Sequence, residues 1–372
     1  MKLARRPLLN MLAGLPFVDP VLAMAAATEH GGVTPRWLGC RTEPVGGDGA
    51  AGLAPDGNSP FGIHLPARGH SFAVHPSEDL AVVFARRPGV FAVAFATATG
   101  ERMAVFETEQ GRHFAGHGTF TPDGRLLLAV ENRFDGKDGA LGVYDVLDGF
   151  RKLAELPAYG IGPHDVTVMP DNKTLAVAVG GILSHPQSKR LKLNLDTMRP
   201  SLALMEMESG RLIEQFPLEG DLHQLSLRHL SVNAQGRIAC ACQFQGDPLA
   251  EVPLVAIMDG SGFRLADELR PRAAELRQYT GSIAFDTSGQ WLAVSCPRAD
   301  RILILDGEGA IRHEVPLPDG CGIAAEGSAG RFIASSGTGR LIEIDAPSGR
   351  TNDLAQARVA WDNHLVPMHA RG

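Results

Sequence analysis

The chain has 372 residues, 44% of them hydrophobic and 21% charged, enough apolar material to bury a large core. Its formal net charge of −7 leaves no global basic field, which argues against a nucleic-acid protein or one held on anionic lipid by charge. With 43 glycines and 25 prolines the composition points to many short turns, and so to a turn-rich β protein.

The first 30 residues, MKLARRPLLNMLAGLPFVDPVLAMAAATEH, read as an export signal over 1–27. Arg5 and Arg6 precede an apolar run interrupted by Pro16, Asp19 and Pro20, and small residues follow from Ala23 to Ala27. The run is too short and too broken to cross a bilayer as a stable helix. An arginine pair followed by Pro-Leu-Leu resembles a twin-arginine signal, although no serine or threonine stands before it. A periplasmic mature protein is expected, covering 28–372 as one domain without a membrane span. The alternative is an uncleaved anchor or a tail.

From His70 onward the chain repeats. The segments RGHSFAVHP, AGHGTFTPDG, GPHDVTVMPD and LRHLSVNAQG each lead through a small turn into an apolar strand, LAVVFA, RLLLAV, TLAVAV or RIACAC. Each histidine is read as opening its strand. Units of four strands, such as SFAVH, LAVVFARR, VFAVAFA and RMAVFE, recur at the roughly 40–50-residue period of a β-propeller. Further units follow from His164, His229, Ser282 and about Gly322, which makes six. A seventh is split, its inner strand running from His364 to about His369 and its other three strands coming from WLGCRT, AAGLAPDG and FGIHLP. The expected fold is therefore all-β: a seven-bladed propeller, four antiparallel strands per blade, closed by the N- and C-terminal strands, with no free sheet edge. The five cysteines are an odd number without CxxC spacing. That supports neither a disulfide framework nor a thiolate metal site.

In a propeller the loop entering the inner strand and the loop between the second and third strands open on one face. Here they bring His70, His117, His164, His229 and His364 together with Arg68 and Arg228, and with Arg86, Arg87, Glu131, Asn132, Arg133, Gln243 and Arg298. An insertion at 180–200, GGILSHPQSKRLKLNLDTMRP, adds His185 and Asn194 and reads as a lid over that face. Its charges from Lys189 to Lys192 read as a solvated loop.

The segments LPARGH, FARRPG, RHFAGHGTFTPDG, IGPHD, GGILSHP, KLNLDTMRPSL, LSLRHLSV and WDNH resemble the bacterial domain-of-unknown-function 1513 family over nearly the whole mature chain. Glu131 and Asn132 in AVENRF fit that family's pattern. The resemblance implies an exported propeller. Because members occur beside imelysin-like and di-haem proteins of periplasmic iron handling, it also implies a role near metal or haem transport. It implies no known reaction.

Neutral imidazoles beside a carboxylate suit copper, zinc or iron. The five histidines and Glu131 are therefore the candidate ligands for a transition metal (iron or copper) or an exposed haem edge. Arg68, Arg86, Arg112 and Arg228, with Asn132 and His185, are candidates for an anionic ligand such as a metal chelate. The plain alternatives are that each histidine bonds a neighbouring blade's backbone, and that each arginine pairs with a surface acid such as Asp123 or Asp165. The expected function is a metal-, haem- or chelate-binding propeller accessory to iron or redox metabolism. A scaffold for a periplasmic iron-uptake or haem protein stays open, as does a lactonase-like hydrolase or an oxidoreductase with a histidine base beside Glu131 or Asp165. No GxSxG, Cys-His motif or GxGxxG at a strand-to-helix turn is present, and Ser184-His185 is too short a pattern for a nucleophile pair.

Overall fold

The computed structural model describes residues 35–136, 138–185, 187 and 191–368. The export segment, part of the insertion and His369 lie outside them. The strands form seven antiparallel four-stranded sheets. Blade 1 is Gly69–Val74, Ala81–Ala85, Phe91–Phe95 and Arg102–Glu107. Blades 2 to 6 follow in the same order, with inner strands Arg112–Phe120, Pro163–Val168, Leu225–Val232, Ile283–Phe285 and Gly320–Ala325. In blade 7 the C-terminal strand Ala360–Pro367 pairs with Trp37–Glu43, which continues through Gly47–Leu53 to Phe61–His64. Among the described residues helix is confined to short 3-10 turns, and no helix is long and apolar enough to cross a membrane.

Burial explains why the strands read as they do. Ala81–Ala85 and Phe91–Phe95 are buried throughout because each middle strand is covered on both faces by neighbouring blades, and such strands become unbroken apolar runs. The outer strand Arg102–Glu107 is mostly exposed, and its terminal charges blunt the sheet edge. The core lies between blades: Phe84 of blade 1 meets Phe114 of blade 2 at 5.5 Å between ring centroids, and Phe106 meets Tyr144 at 5.2 Å.

The turns after the inner strands are built by short polar side chains that accept backbone N–H groups. Asp123 accepts from Arg125, Asp171 from Lys173 and Thr174, Asn233 from Gln235 and Arg237, and Asp286 from Ser288 and Trp291. Asp123 is thus a turn residue and forms no arginine pair in this structure.

The inner strands differ from expectation in one respect. Those holding His117, His229 and His364 start several residues earlier, so these histidines sit inside strands. Register shifts recur beside them, between Gly69 and Phe72, Phe114 and Gly118, Pro163 and Asp165, and Leu227 and His229. Opposite Gly39 and Arg41, the stretch between Leu365 and Trp361 is likewise unpaired. A β-bulge leaves one or more residues out of the ladder and re-aims a side chain. Here it leaves His70, His117, His164 and His364 out of their ladders; in blade 4 His229 pairs with Ala241 and the residue left out is Arg228. Gly116 shows why the sequence must yield at one such point: its φ is +106°, and a Cβ there would sit 2.5 Å from the His70 ring.

The C-terminal strand closes the ring through side chains packed between blades 6 and 7, Leu365 among them with Trp37 and Trp361 of blade 7 and Leu341 of blade 6. Leu365→Ala is expected to lower the unfolding free energy by about 2–5 kcal/mol in urea titration. Leu147→Ala, at an exposed site, is expected to shift it by no more than about 0.5 kcal/mol. Equal effects would show that this strand does not hold the ring shut.

Candidate metal centre

The five histidines meet. All are buried, and their neighbouring ring centroids lie 4.4 to 5.2 Å apart, with His70 at 6.1 Å from both His164 and His229. Four of them, His70, His117, His229 and His364, each bring one ring nitrogen to within 4.8 Å of the others.

Outer partners fix three of these rings. His70 Nδ1 is 3.2 Å from Asp362 Oδ1, His117 Nδ1 is 3.3 Å from Asp165 Oδ1, and His229 Nδ1 donates to the Gly281 carbonyl at 2.6 Å. An imidazole whose Nδ1–H is committed to an acceptor presents its Nε2 lone pair on the other side. The Nε2 atoms of His117 and His364 are buried and without any hydrogen-bond partner.

His164 stands apart. Arg228 donates to its Nδ1 at 3.2 Å, so its proton is on Nε2, which lies 3.0 Å from His229 Nε2. The assignment is self-consistent: Arg228 donates to His164, His164 to His229, and His229 to Gly281, with both rings neutral. His164 therefore presents a donor to the cluster where the other rings present lone pairs.

Burial favours the uncharged form of four of these rings. It pushes His70 down to about 4 against the opposing pull of Asp362, and pushes His164, His229 and His364 well below the ordinary histidine value, with neighbouring rings and Arg228 or Arg86 adding to the effect. Burial also pushes Arg228 down to about 9. Asp362 goes the other way. Burial alone would raise its carboxyl, but His70, Arg86 and Arg68 outweigh burial and hold it well below the usual carboxylate range.

The remaining candidates divide. Arg68 donates to Asp362, as does Arg86 at 3.1 Å. Glu131 is not at the cluster. It is fully buried inside blade 2, where Arg112 (3.1 Å), Lys152 (2.8 Å) and the Tyr144 hydroxyl (2.5 Å) occupy its oxygens. The ligand role expected for Glu131 and the anion role expected for Arg112 are thus replaced by one internal ion network. Asn132 ties blade 2 to the Pro163 carbonyl. Asp165, expected either as a plain arginine partner or as an acid beside a histidine, holds His117 and accepts from the backbone of Leu230. Asp362 was not singled out, although it stands two residues before His364 in the same WDNH segment. Its signal is an acid beside a ring histidine in a strand that must bury both.

A recess of about 60 Å³ at the cluster is lined by His70, His164, His229 and the arginines 86, 87 and 228. It continues into a cavity of about 1070 Å³ whose walls include Arg298, Tyr279 and, from the insertion, Ile182, Ser184, His185 and Lys192. The described part of the insertion therefore does border this mouth, and Lys192 reaches Gln245 rather than solvent alone. Asn194 braces its base through Leu183 and Gly181. The recess has room for an ion and a few waters but not for a porphyrin. All five cysteines are buried and free, so thiolates take no part.

Comparison with known proteins agrees with this picture at the level of fold. The DUF1513 model, described as a protein of unknown function, matches residues 63–368. No curated protein matches the chain. Among solved structures, hydrazine synthase of Kuenenia stuttgartiensis is 16% identical, with a TM-score of 0.58 over 84% of this chain and 90% of that chain. At that identity the likeness concerns the fold alone.

Two outcomes are expected. Glu131→Gln removes the most buried partner of Arg112 and Lys152, which keep Glu155 and Glu109, and is expected to cost about 1.5–3 kcal/mol in urea, while the cluster histidines stay in place by NMR. In EDTA-treated protein, stability is expected to fall as the pH drops from about 6.5 towards 4. In that window the unfolded histidines take up protons that buried His70 and His113, both pushed down to about 4 by burial, do not. A flat pH profile of the urea midpoint there would contradict neutral buried rings.

Proposed function

The chain belongs to the DUF1513 family, and from that premise we propose that it is a metal-binding propeller whose ion sits among His70, His117, His229 and His364. The observation that carries this reading is the pair of buried, unpartnered Nε2 atoms on His117 and His364, beside two rings whose outer nitrogens are already committed. A buried polar atom left without a partner is costly. A bound cation would satisfy both atoms, and on His229 it would take the lone pair that now accepts from His164, releasing the His164 N–H.

The donor set selects the ion. Four neutral imidazoles suit copper, zinc or iron, and among divalent ions copper stands highest in the general affinity order. Metal–nitrogen bonds of about 2.0–2.1 Å bring opposite donors to about 4.1 Å or less, so loading would draw the cluster together by a fraction of an ångström. Asp362, Asp165 and the Gly281 carbonyl would serve as the acceptors that orient metal-bound histidines in many proteins. When bound, the ion supplies Lewis acidity or one-electron chemistry. This chain's own residues orient the rings and exclude bulk water. His164, with its N–H turned inward, would donate a hydrogen bond to whatever approaches the open side.

Export fits this reading. A periplasmic protein carried out already folded, as the Arg5-Arg6 segment suggests, could be loaded before or after export and serve iron or redox metabolism there. The test is elemental analysis of protein purified without chelators, followed by titration of the EDTA-treated form with Cu²⁺, Zn²⁺ and Fe²⁺. About one ion per chain is expected, with affinity reduced at least 100-fold in His117→Ala and His364→Ala and unchanged in His313→Ala, which lies away from the cluster. Binding that survives both cluster variants would sink the proposal.

A further inference from the structure

The large cavity above the cluster is cationic out of proportion to the chain. Arg86, Arg87, Lys192, Arg228, Arg277 and Arg298 line it, with no carboxylate among its described lining residues, in a protein of net charge −7. Arg86 is matched by Asp362. Arg228 is different: it is 3% exposed, donates to His164, and keeps its Nε buried with no partner. A buried guanidinium without a counter-charge is unfavourable unless an anion completes it.

The surroundings describe that anion. Arg298 stacks over the Tyr279 ring at 4.1 Å, which holds its planar fork at the cavity wall. Arg277 and Gln278 both carry positive φ, 53° and 55°, and Gln278 is locked by the Pro248 and Ala250 carbonyls. Apolar walls from Pro88, Ile182, Phe244 and Leu249 face the same space. Separated cations with apolar surface between them suit an organic skeleton carrying several carboxylates better than a compact inorganic anion.

We propose that this vestibule binds a small polycarboxylate, with its carboxylates on Arg228, Arg277 and Arg298. One further carboxylate oxygen would be directed through the recess towards the histidine cluster, and only that last contact rests on the metal reading. The vestibule thereby selects an anionic chelator as the companion of the ion.

Citrate is the probe, titrated calorimetrically into full-length protein freed of metal by EDTA and then dialysed. Saturable one-site binding is expected, weakened at least 10-fold between 20 and 200 mM salt. Arg298→Gln and Arg277→Gln, both at exposed positions, should each lower affinity about 10-fold, and Arg228→Gln more. Arg350→Gln, on an outer strand of blade 6, should leave it unchanged. No saturable heat, equal affinity for inorganic phosphate, or insensitivity to Arg298→Gln and Arg277→Gln would each overturn the proposal. Because this arm contains no metal and the metal titration contains no citrate, either reading can fail while the other stands.

Discussion

Asp362 is where closure of the ring and order at its centre become the same requirement. It lies on the C-terminal strand, nearly inaccessible to solvent, and takes Arg68, Arg86 and His70 from blade 1 on its two oxygens. A propeller has to join its last blade to its first, and hydrogen bonding between the C-terminal strand and Trp37–Glu43 joins strands only within blade 7. This carboxylate crosses the seam together with an apolar contact in which Leu38, Cys40 and Phe61 of blade 7 pack with Phe72, Val83 and Phe95 of blade 1. Two cations within reach keep it ionised in spite of burial. An ionised acceptor then fixes His70 with its Nδ1 outward. If the seam opened, the ring would lose an edge contact and His70 would lose its orientation together.

The same economy of position appears at the other blades. Asp165 belongs to blade 3, holds His117 of blade 2 and accepts from Leu230 of blade 4. Gly281, entering blade 5, accepts from His229 of blade 4. Three imidazoles are therefore anchored by the blade beside their own, His229 by a backbone carbonyl and His70 and His117 by carboxylates. That anchoring consumes only the outer nitrogen. At the inner end the His229 Nε2 accepts from His164, while those of His117 and His364 are left buried and unpartnered.

The blade count, the split seventh blade and the convergence of five histidines were legible because each depends on a period: apolar runs of fixed spacing and one residue type at one place in the unit. What resisted reading depends on register. A bulge shifts one or more residues without changing composition, so the sequence placed His117, His229 and His364 at strand starts when they lie within strands. Glu131 shows the same limit from another side. It stands in the loop-ward half of a second strand, where the repeat suggested it faced the mouth, but blade 2 supplies Arg112, Lys152 and Tyr144 within itself, and an internal network captured the carboxylate. Nothing in spacing distinguishes an acid turned towards the channel from one turned into its own sheet.

The ring is also unequal, and the inequality has a steric origin. Blades 5 and 6 place Ser282 and Gly322 where the others place histidine. At Gly322 a Cβ would already meet the Ser335 hydroxyl at 2.5 Å and the Leu365 backbone nitrogen at 3.0 Å, because the C-terminal strand crosses there to close the ring. At Ser282 the backbone N–H is taken by Ser295, just after the carbonyl that holds His229. These two blades contribute backbone and space instead of imidazole, and the histidines gather on the opposite arc. The result is a one-sided cluster, walled by His164 and Arg228 where it opens towards the vestibule. A symmetric ring of seven imidazoles would crowd the axis. Five, with one turned donor-inward, leave room at the axis for the unpartnered lone pairs of His117 and His364.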